Sequence, residues 1–529
     1  MTNKRKFKFF RKNNSSSNVS KEVSPESPLS KSLDDNVKNI ITDTGNSADI
    51  IVRRIIIGRE NKVEAAIIYT DGLVNMDYIN NFLEVLFTRF PENQGNTPII
   101  KTIKEKLLNI GEVTHSKNRI EIINGILTGD TAIIIDKCDI ALLASTKGWE
   151  QRAILEPQNQ QVIRGPRQSF VENIRTNTAL IRRYLGTSKL RLDQVKVGKL
   201  SETKVGIMYI EGTANKKIVN EVKNRISKVD VDVLLGVGVL EELIQDNPLT
   251  WFPTIAYTER PDMAVGNLVE GRVLILVDGN PFVMVVPVTF FMFFQSADDY
   301  YLKYQISSLL RILRYITLFI SVALPSMYVA ITTYNQEILP TTILISLASQ
   351  REGVPFPTFL ETFILVFIFE VLREAGLRMP KPLGQAISIV GALVLGTAAV
   401  EAGIFTATVV IVVAMTAIAD FTSPYIEISN AVRIARFIWL ILSSIYGLFG
   451  LLFALIIATV HLASLRSFGV PYLNGFAPFN FGEQKDLLIR APWFLMNNRP
   501  HLLAQKNFKR QNQDVPKPPA DRQRRGNNE

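Results

Sequence analysis

The feature that most constrains this chain is a series of long apolar segments between Ile316 and Leu465. A helix that crosses a lipid bilayer needs about 20 mostly apolar residues, and its backbone polar groups must be satisfied internally because lipid offers no partner. The pattern therefore predicts an all-α multispan membrane domain over residues 316–465. The predicted spans are 316–334, 355–371, 384–400, 403–419 and 437–461, with 338–350 as a re-entrant or interfacial element.

The rest of the chain is too polar for lipid, because the mean hydropathy of the 529 residues is only +0.15. Residues 46–155 and 156–270 alternate apolar strands with amphipathic helices, which predicts an α/β N-terminal region of two small mixed subdomains. The predicted strands are 65–69, 131–135, 204–210 and 231–235, and the predicted helices are 77–87, 102–110, 171–184 and 215–227. The segment Asp278-Gly-Asn280 is predicted to be a turn, with a ligand contact as the alternative. The basic N-terminus lacks the apolar core of a secretory signal, so we expect this region in the cytoplasm. Residues 1–45 are predicted to be a disordered basic tail, 271–315 a membrane-interface transition, and 466–529 a basic C-terminal tail.

The charges on the loops conflict with this count of spans. The positive-inside rule assigns the loop with Arg373, Arg378 and Lys381 to the cytoplasm. An odd number of spans then sends the basic tail 466–529 to the outside, although the same rule favours the cytoplasm for it. One of the apolar segments is therefore miscounted.

The sequence lacks the residues that several classes of protein require. One cysteine, Cys138, allows neither an intramolecular disulfide nor a thiolate metal cluster, and three scattered histidines give little material for metal or triad chemistry. The sequence has no phosphate-binding P-loop, no nucleophile elbow and no zinc-binding His-Glu-x-x-His motif. We therefore expect no enzyme, no metal, no cofactor and no nucleic-acid partner.

The predicted span 384–400 is rich in small residues. Ser388, Ala392, Gly396 and Ala399 follow a helical spacing and share one face, with Val400 beside them. Small side chains serve two purposes in membrane helices: they allow close helix packing, and they can line a pore. Both interpretations stay open.

Acidic residues in the predicted spans are more informative, because a charge in the middle of a membrane helix costs about 2.5–3.5 kcal/mol on insertion scales. In the predicted orientation, Glu361 and Glu401 both come near the outer mouth, where rings of acids attract cations. The alternative is local compensation. Glu370 has Arg373 three residues further on, and Glu401 can lie among lipid headgroups.

A glycine between two arginines precedes a predicted helix. Arg164, Gly165 and Arg167 could hold an anion or contact another subunit, because backbone amides near a helix N-terminus favour negative charge. The alternative is that the arginines pair with carboxylates such as Glu156 and Glu172.

Many ordered motifs over about residues 60–500 resemble the A subunit of GerA-type spore germinant receptors from endospore-forming bacteria. No one motif suffices, but the ordered set makes chance matching implausible. The motifs include Ile163-Arg-Gly-Pro-Arg167, Thr258-Glu-Arg-Pro-Asp262, Val277-Asp-Gly-Asn-Pro-Phe282, Arg351-Glu-Gly-Val-Pro-Phe-Pro357, Ala398-Ala-Val-Glu-Ala-Gly403, Ser467-Phe-Gly-Val-Pro-Tyr472 and Asp486-Leu-Leu-Ile-Arg-Ala-Pro-Trp493.

This resemblance implies a multipass subunit of a nutrient-gated cation channel in the spore inner membrane. It would act with a permease-like B subunit and a lipoprotein C subunit, as a homo-oligomer for which a pentamer is the expected ring. Opening would widen the small-residue face of 384–400 in a ring built on 384–419, with Glu361 and Glu401 concentrating cations at the entrance. The alternatives are a secondary transporter, a non-conducting scaffold, and a related spore-membrane protein without nutrient specificity of its own.

Overall fold

The computed structural model describes seven stretches of the chain, which together contain an α/β region, a helical region and a C-terminal segment. The helix predicted over 102–110 and two candidate pore residues, Ser388 and Ala392, lie outside them. The described residues are 27–57, 63–88, 112–148, 156–378, 394–480, 482–504 and 507–511.

The first α/β unit has one antiparallel sheet with the spatial order β1-β2-β4-β5-β3. Helices pack on the sheet and bury its isoleucine-rich strands on both faces. The elements are α1 Leu33–Asp43, β1 Ile50–Ile57, β2 Val63–Thr70, α2 Met76–Thr88, β3 Val113–Ser116, α3 Arg119–Leu127, β4 Asp130–Ile135 and β5 Ala141–Ser145.

The second α/β unit also has one antiparallel sheet, with the order β6-β7-β9-β10-β8. This is the order of the first sheet, strand for strand, so the two units share one topology although the sequence shows no repeat of fixed period. The elements are α4 Ile174–Tyr184, β6 Leu190–Val197, β7 Thr203–Ile210, α5 Lys216–Ser227, α6 Val237–Ile244, β8 Ala256–Thr258, α7 Pro261–Val269, β9 Val273–Val277 and β10 Val283–Val286.

Matching side-chain contacts show how closely the two units correspond. In the first, the Asn36 side chain exchanges two hydrogen bonds with the backbone of Ser30, at 2.6 and 2.8 Å. In the second, Asn177 makes the same pair with Val171 at the same two distances. Because both asparagines lie in the helix before the first hairpin, the same pair of hydrogen bonds orients that helix on each sheet.

An aspartate after the fourth strand of each unit accepts a hydrogen bond from the first residue of that same helix. Asp136 accepts from the amide of Leu33 at 3.3 Å, and Asp278 accepts from the amide of Ile174 at 3.1 Å. A carboxylate at a helix N-terminus satisfies a free amide and complements the helix dipole. The turn predicted at Asp278 is present and also caps α4.

Three predictions for the α/β region are corrected by the structure. Helix α1 lies in the 1–45 segment predicted to be disordered, because its apolar residues fall on one face and are buried against the first sheet. Residues 231–235 form a loop instead of a strand, and the carbonyl of Asp232 supports the β6–β7 turn. The predicted transition 271–315 contributes β9 and β10 to the core of the second sheet.

The remaining helices form a bundle next to the second sheet. Among the described residues, only α9 and α14 are both long and apolar enough to cross a bilayer, and α13 and α15 are shorter apolar helices. The elements are α8 Asp298–Tyr301, α9 Tyr304–Thr333, α10 Thr341–Arg351, α11 Thr358–Arg378, a π-helical turn Val394–Ala398 continued by α12 Ala399–Glu401, α13 Ala407–Asp420, α14 Ile426–Tyr446 and α15 Leu448–Ser464.

The predicted span 437–461 is wrong, because it covers parts of two helices. Gly447 separates α14 from α15 with φ +59°, and a Cβ at this position would lie 2.9 Å from the Cβ of Tyr334. A side chain is therefore strained there, whereas glycine permits the reversal. The extra helix makes the number of apolar segments even and returns the chain towards the α/β region, where His461 contacts Thr250.

The C-terminal segment packs against the second sheet through side chains that follow α15. The Ser467 hydroxyl donates to the carbonyl of Thr254, and the Tyr472 hydroxyl donates to the carbonyl of Pro253, both at 2.6 Å. The described part of the predicted basic tail thus lies on the same side of the bundle as the α/β region. Its elements are β11 Arg466–Ser467, β12 Val470–Pro471 and α16 Gln484–Leu487.

A buried ion pair joins the two α/β units. Arg182 of the second unit donates to both carboxylate oxygens of Asp49 in the first, at 2.7 and 3.0 Å, and also to the hydroxyl of Ser47. The amide of Ala48 donates to the carbonyl of Leu192 at 2.9 Å beside this pair. Because both charged groups are almost completely buried, each depends on the other for solvation.

Replacing Arg182 with methionine should therefore destabilise the α/β region strongly. The loss of one member of a buried pair leaves the other charge unsatisfied, which costs about 3–5 kcal/mol. Thermal unfolding of the purified protein measures this effect. Lys199→Met is the matched control, because Lys199 and Asp230 form an exposed pair, so little change is expected there. Similar unfolding temperatures for the two variants would contradict the argument.

Candidate functional site

A cluster of ionised side chains lies inside the helical bundle, where α9, α11, α13 and α14 meet. The cluster combines carboxylates and guanidinium groups with two serine hydroxyls, and most of these groups are buried. Its members are Ser321 of α9, Glu370 and Arg373 of α11, Asp420 of α13, and Ser429, Arg433 and Arg436 of α14.

Glu370 receives its partners from another helix. Its carboxylate lies 2.7 Å from Arg433 and 3.0 Å from Arg436, both on α14. The local pair of Glu370 with Arg373 that the sequence suggests is therefore not the pairing in the structure. Arg373 instead binds Asp420 at the end of α13.

Asp420 is the centre of the cluster. Its carboxylate contacts Arg373, accepts from the Ser429 hydroxyl at 2.9 Å, and lies 3.7 Å from Arg436. Arg436 donates in turn to both the hydroxyl and the carbonyl of Ser321, at 2.8 Å each. The cluster therefore connects four helices through charge-assisted hydrogen bonds, which are stronger than neutral ones.

A second polar cluster lies where the bundle meets the α/β region. The buried guanidinium of Arg311, in the early part of α9, donates to Asp299 at 3.0 Å and to Asp486 at 3.0 Å. Arg314 binds the same Asp299, and the Tyr300 hydroxyl donates to Asp486 at 3.0 Å. We call these five residues the base cluster. It connects the short helix α8, the first long helix α9 and the C-terminal segment.

The base cluster contains a carboxyl with a perturbed pKa. Burial raises the pKa of Asp486 to about 6 from its ordinary value of 3.8, although Arg311 and the hydrogen bond from Tyr300 oppose this shift. Desolvation disfavours the charged form of an acid more than these partners favour it here. Asp486 can therefore change its charge at mildly acidic pH.

The structure brings the two predicted cation-attracting acids to the same end of the bundle, far from the base cluster, but in different environments. Glu361 is fully buried and accepts a hydrogen bond from the amide of Thr406, the N-cap of α13. Glu401 is exposed. Glu361 thus caps a helix, and of the two only Glu401 offers its carboxylate to solvent.

Three of the candidate pore residues are described, and they differ in exposure. Gly396 is exposed, and a Cβ built on it would have no atom of the described residues within 4 Å. Val400 is half-buried, and Ala399 is buried in an apolar cluster with residues of α11 and α13. One side of this segment therefore packs on the bundle, while the side with Gly396 faces open space.

The candidate anion loop packs against α8. Gly165 has φ +144°, and a Cβ there would lie 2.8 Å from the ring of Tyr301. Arg167 pairs with Glu156 at 3.4 Å on the surface, which agrees with the alternative interpretation, and Arg164 is exposed. The glycine is thus explained by contact with an aromatic ring, and anion binding by this loop stays a prediction.

Sequence reasoning did not identify the acids and arginines of the two clusters as partners. The available signals were the two arginines Arg433 and Arg436 in a mostly apolar helix and the motif around Asp486, which belongs to the family resemblance. Neither signal names a partner, because the residues of each ion pair lie far apart in the chain.

Comparisons with known proteins agree over most of the chain. The model of the Bacillus/Clostridium GerA spore germination protein family matches residues 36–502. Spore germination protein KA of Bacillus subtilis (strain 168) is 44% identical over 495 residues, which are 93% of this chain and 91% of that protein. The uncharacterized membrane protein YfkQ of the same organism is 39% identical over 491 residues, which are 92% of this chain and 94% of that protein.

A further relative and one solved structure are similar as well. Spore germination protein GerLA of Bacillus cereus is 38% identical over 471 residues, which are 89% of this chain and 95% of that protein. The crystal structure of the N-terminal domain of the A subunit of the Bacillus megaterium spore germinant receptor GerK3 is 34% identical, with a TM-score of 0.41. It covers 50% of this chain and 98% of the solved chain.

Asp420→Asn should destabilise the helical bundle. The variant removes the carboxylate on which Arg373 and Arg436 depend, and a buried charge without its partner costs about 3–5 kcal/mol. The measurement is thermal unfolding of the purified protein in detergent. Arg433→Gln is the control: the Arg433 guanidinium is partly exposed, and its loss leaves Glu370 paired with Arg436. We expect a clearly smaller effect for Arg433→Gln, and equal effects would count against Asp420 as the centre of the cluster.

Asp486→Asn should change the pH dependence of stability. Because the folded-state pKa of Asp486 is raised to about 6, the folded protein binds this proton more tightly than the unfolded chain does. The stabilising contribution of Asp486 is then fully present below about pH 4 and is lost as the pH rises through about 6. The difference in unfolding temperature between wild type and Asp486→Asn should therefore fall from pH 4 to pH 7. A difference that rises with pH would mean that Arg311 dominates and lowers the pKa.

Proposed function

This chain belongs to the Bacillus/Clostridium GerA family of spore germination proteins, and from this premise we propose that it is a germinant receptor A subunit that forms an oligomeric, nutrient-gated cation channel in the spore inner membrane. Its partners in the receptor are a permease-like B subunit that senses the nutrient and a lipoprotein C subunit. We propose no catalytic step.

The proposed membrane domain consists of α9, α11, the segment 384–401, α13, α14 and α15. The order of these helices supports an even number of crossings, because α14 and α15 form a hairpin at Gly447. The α/β region and the C-terminal segment then share one side, the cytoplasm. The base cluster supports this arrangement, since Asp486 pairs with Arg311 at the beginning of the first crossing.

The observation that carries the channel proposal is the exposed small-residue surface around Gly396, next to a bundle whose helices are held together by buried ion pairs. An apolar segment that exposes small residues has a surface suited to close contact with other copies or to a water-filled passage. A π-helical turn at Val394–Ala398 lies in the same segment, and such turns are frequent at functional sites. We propose that copies of this segment, including Ser388, Ala392 and Val400, surround a shared axis in a ring, with a pentamer as the expected size.

In this mechanism the helices α9, α11, α13 and α14 form the fixed part of each subunit. Nutrient sensing by the B subunit shifts the ring between two states, and opening widens the small-residue face. Glu401 concentrates cations at the entrance, because an exposed carboxylate ring raises the local cation concentration. Glu361 is left out of this role, since its buried carboxylate caps α13.

One specific observation favours a second candidate function. YfkQ, which matches 92% of this chain, is named only as a membrane protein. A related spore-membrane protein without nutrient specificity of its own would share the fold and the ring. Spores that lack this chain would then lose germination speed with every nutrient, whereas a receptor subunit would affect only one class of nutrient.

Neutralising Glu401 should lower cation flux through the reconstituted protein. Glu401→Gln removes one negative charge per subunit from the proposed entrance, and the potassium conductance of liposomes should decrease, most clearly at low salt where screening is weak. Glu337→Gln is the matched control, because Glu337 is also exposed beyond the far end of α9. The proposal expects little change there. Unchanged flux in Glu401→Gln with normal assembly, or single copies without a central passage in electron micrographs, would refute the channel.

A further inference from the structure

The loop 247–252 of the second α/β unit carries two outward apolar side chains. Leu249 at its tip is 91% exposed, and Trp251 is 42% exposed. Single exposed apolar residues are common on proteins and need no explanation by themselves. These two residues are informative because their loop contacts the end of an apolar helix of the bundle.

The loop is attached to the end of α15. The Thr250 hydroxyl and Nε2 of His461 are 3.0 Å apart, and the rings of Trp251 and His461 stack with centroids 5.6 Å apart. Phe252, the next residue, is buried in the core of the second sheet. The tip of the loop therefore lies level with the last turn of α15, at the end of the bundle that faces the α/β region.

The outward face of α15 is apolar along its length. The residues of this face are spaced as on one side of a helix and are all well exposed. The face ends at the residue before His461, on which Trp251 stacks, and the exposed Arg466 follows the helix. The residues are Phe449, Phe453, Ile457 and Val460.

We propose that the loop 247–252 inserts into the cytoplasmic leaflet of the membrane, with Leu249 among the acyl chains and Trp251 at the level of the headgroups. The occupant is lipid because the loop is attached at the end of the apolar face of α15, through His461, and because tryptophan favours the interface, where its ring is apolar and its N–H is polar. Arg466 lies at the same level and attracts anionic headgroups. The proposal rests on the membrane location of α15 given above.

The loop is already in a fixed conformation. The Asn247 side chain accepts from the amide of Leu249 at 3.3 Å, and the Thr250 hydroxyl accepts from the amide of Phe252 at 3.2 Å. Pro248 restricts the backbone between them. Insertion therefore needs little further loss of chain entropy, which otherwise opposes the ordering of a loop. The contact would fix the second sheet relative to the membrane plane, so the sheet could not tilt without moving α15.

Site-directed spin labelling of the full-length protein in liposomes tests this proposal. Cys138→Ser removes the native cysteine, and Leu249→Cys, Val460→Cys and Leu200→Cys each add one nitroxide site. Val460 lies on the outward face of α15, and Leu200 is a matched leucine, 78% exposed, in the β6–β7 turn. Collision rates with oxygen, which concentrates in lipid, and with a water-soluble nickel chelate report the surroundings of each label.

We expect labels at 249 and 460 to collide mainly with oxygen and the label at 200 mainly with the nickel chelate. A label at 249 that behaves like the one at 200 would overturn the insertion, and so would a label at 249 shielded from both reagents, which would mean a protein partner. If the label at 460 is also exposed to the chelate, the membrane location of α15 fails as well. Failure at 249 alone leaves the proposed channel intact.

Discussion

Ionised groups inside an apolar helical bundle are tolerated only when each has a partner, and the rest of this structure depends on that constraint. Asp420 and Glu370 have an arginine on another helix as partner, so α11, α13 and α14 cannot separate without exposing an unpaired charge to an apolar surrounding. Apolar contacts between these helices would allow sliding, whereas directional hydrogen bonds fix their register. The same logic operates in the base cluster, where Arg311 holds carboxylates from two other segments.

Buried ion pairs of these two clusters join some segments of the bundle to one another, whereas other segments make no such ion pair. None of the described residues 394–401 belongs to either cluster, and a Cβ on Gly396 would have no atom within 4 Å in the part of the chain that the structure describes. The proposed opening of a ring depends on this difference, because a ring can open only if some elements of each subunit stay fixed while others move.

Much of the α/β region could be predicted, because its strands and helices carry their signals locally. The buried strands β2 and β4 and the helix α5 with its Asn215 cap lie where the periodicity predicts them. The shared topology of the two units could not be predicted, since it depends on contacts such as Asp136 with Leu33, which spacing does not reveal. The break at Gly447 was missed because α14 and α15 are both apolar, so hydropathy continues across the reversal.

The partners of the charged residues could not be predicted, because an ion pair between neighbours on one helix contributes much less free energy than the pairing of a buried charge. A pair three residues apart on a helix, such as Glu370 and Arg373, contributes only about 0.2–0.5 kcal/mol. A buried charge left without its partner costs about 3–5 kcal/mol. Packing therefore decides which charges pair, and the local spacing is overridden whenever two helices bring better partners together. In this chain α14 supplies both arginines to Glu370, which leaves Arg373 for Asp420.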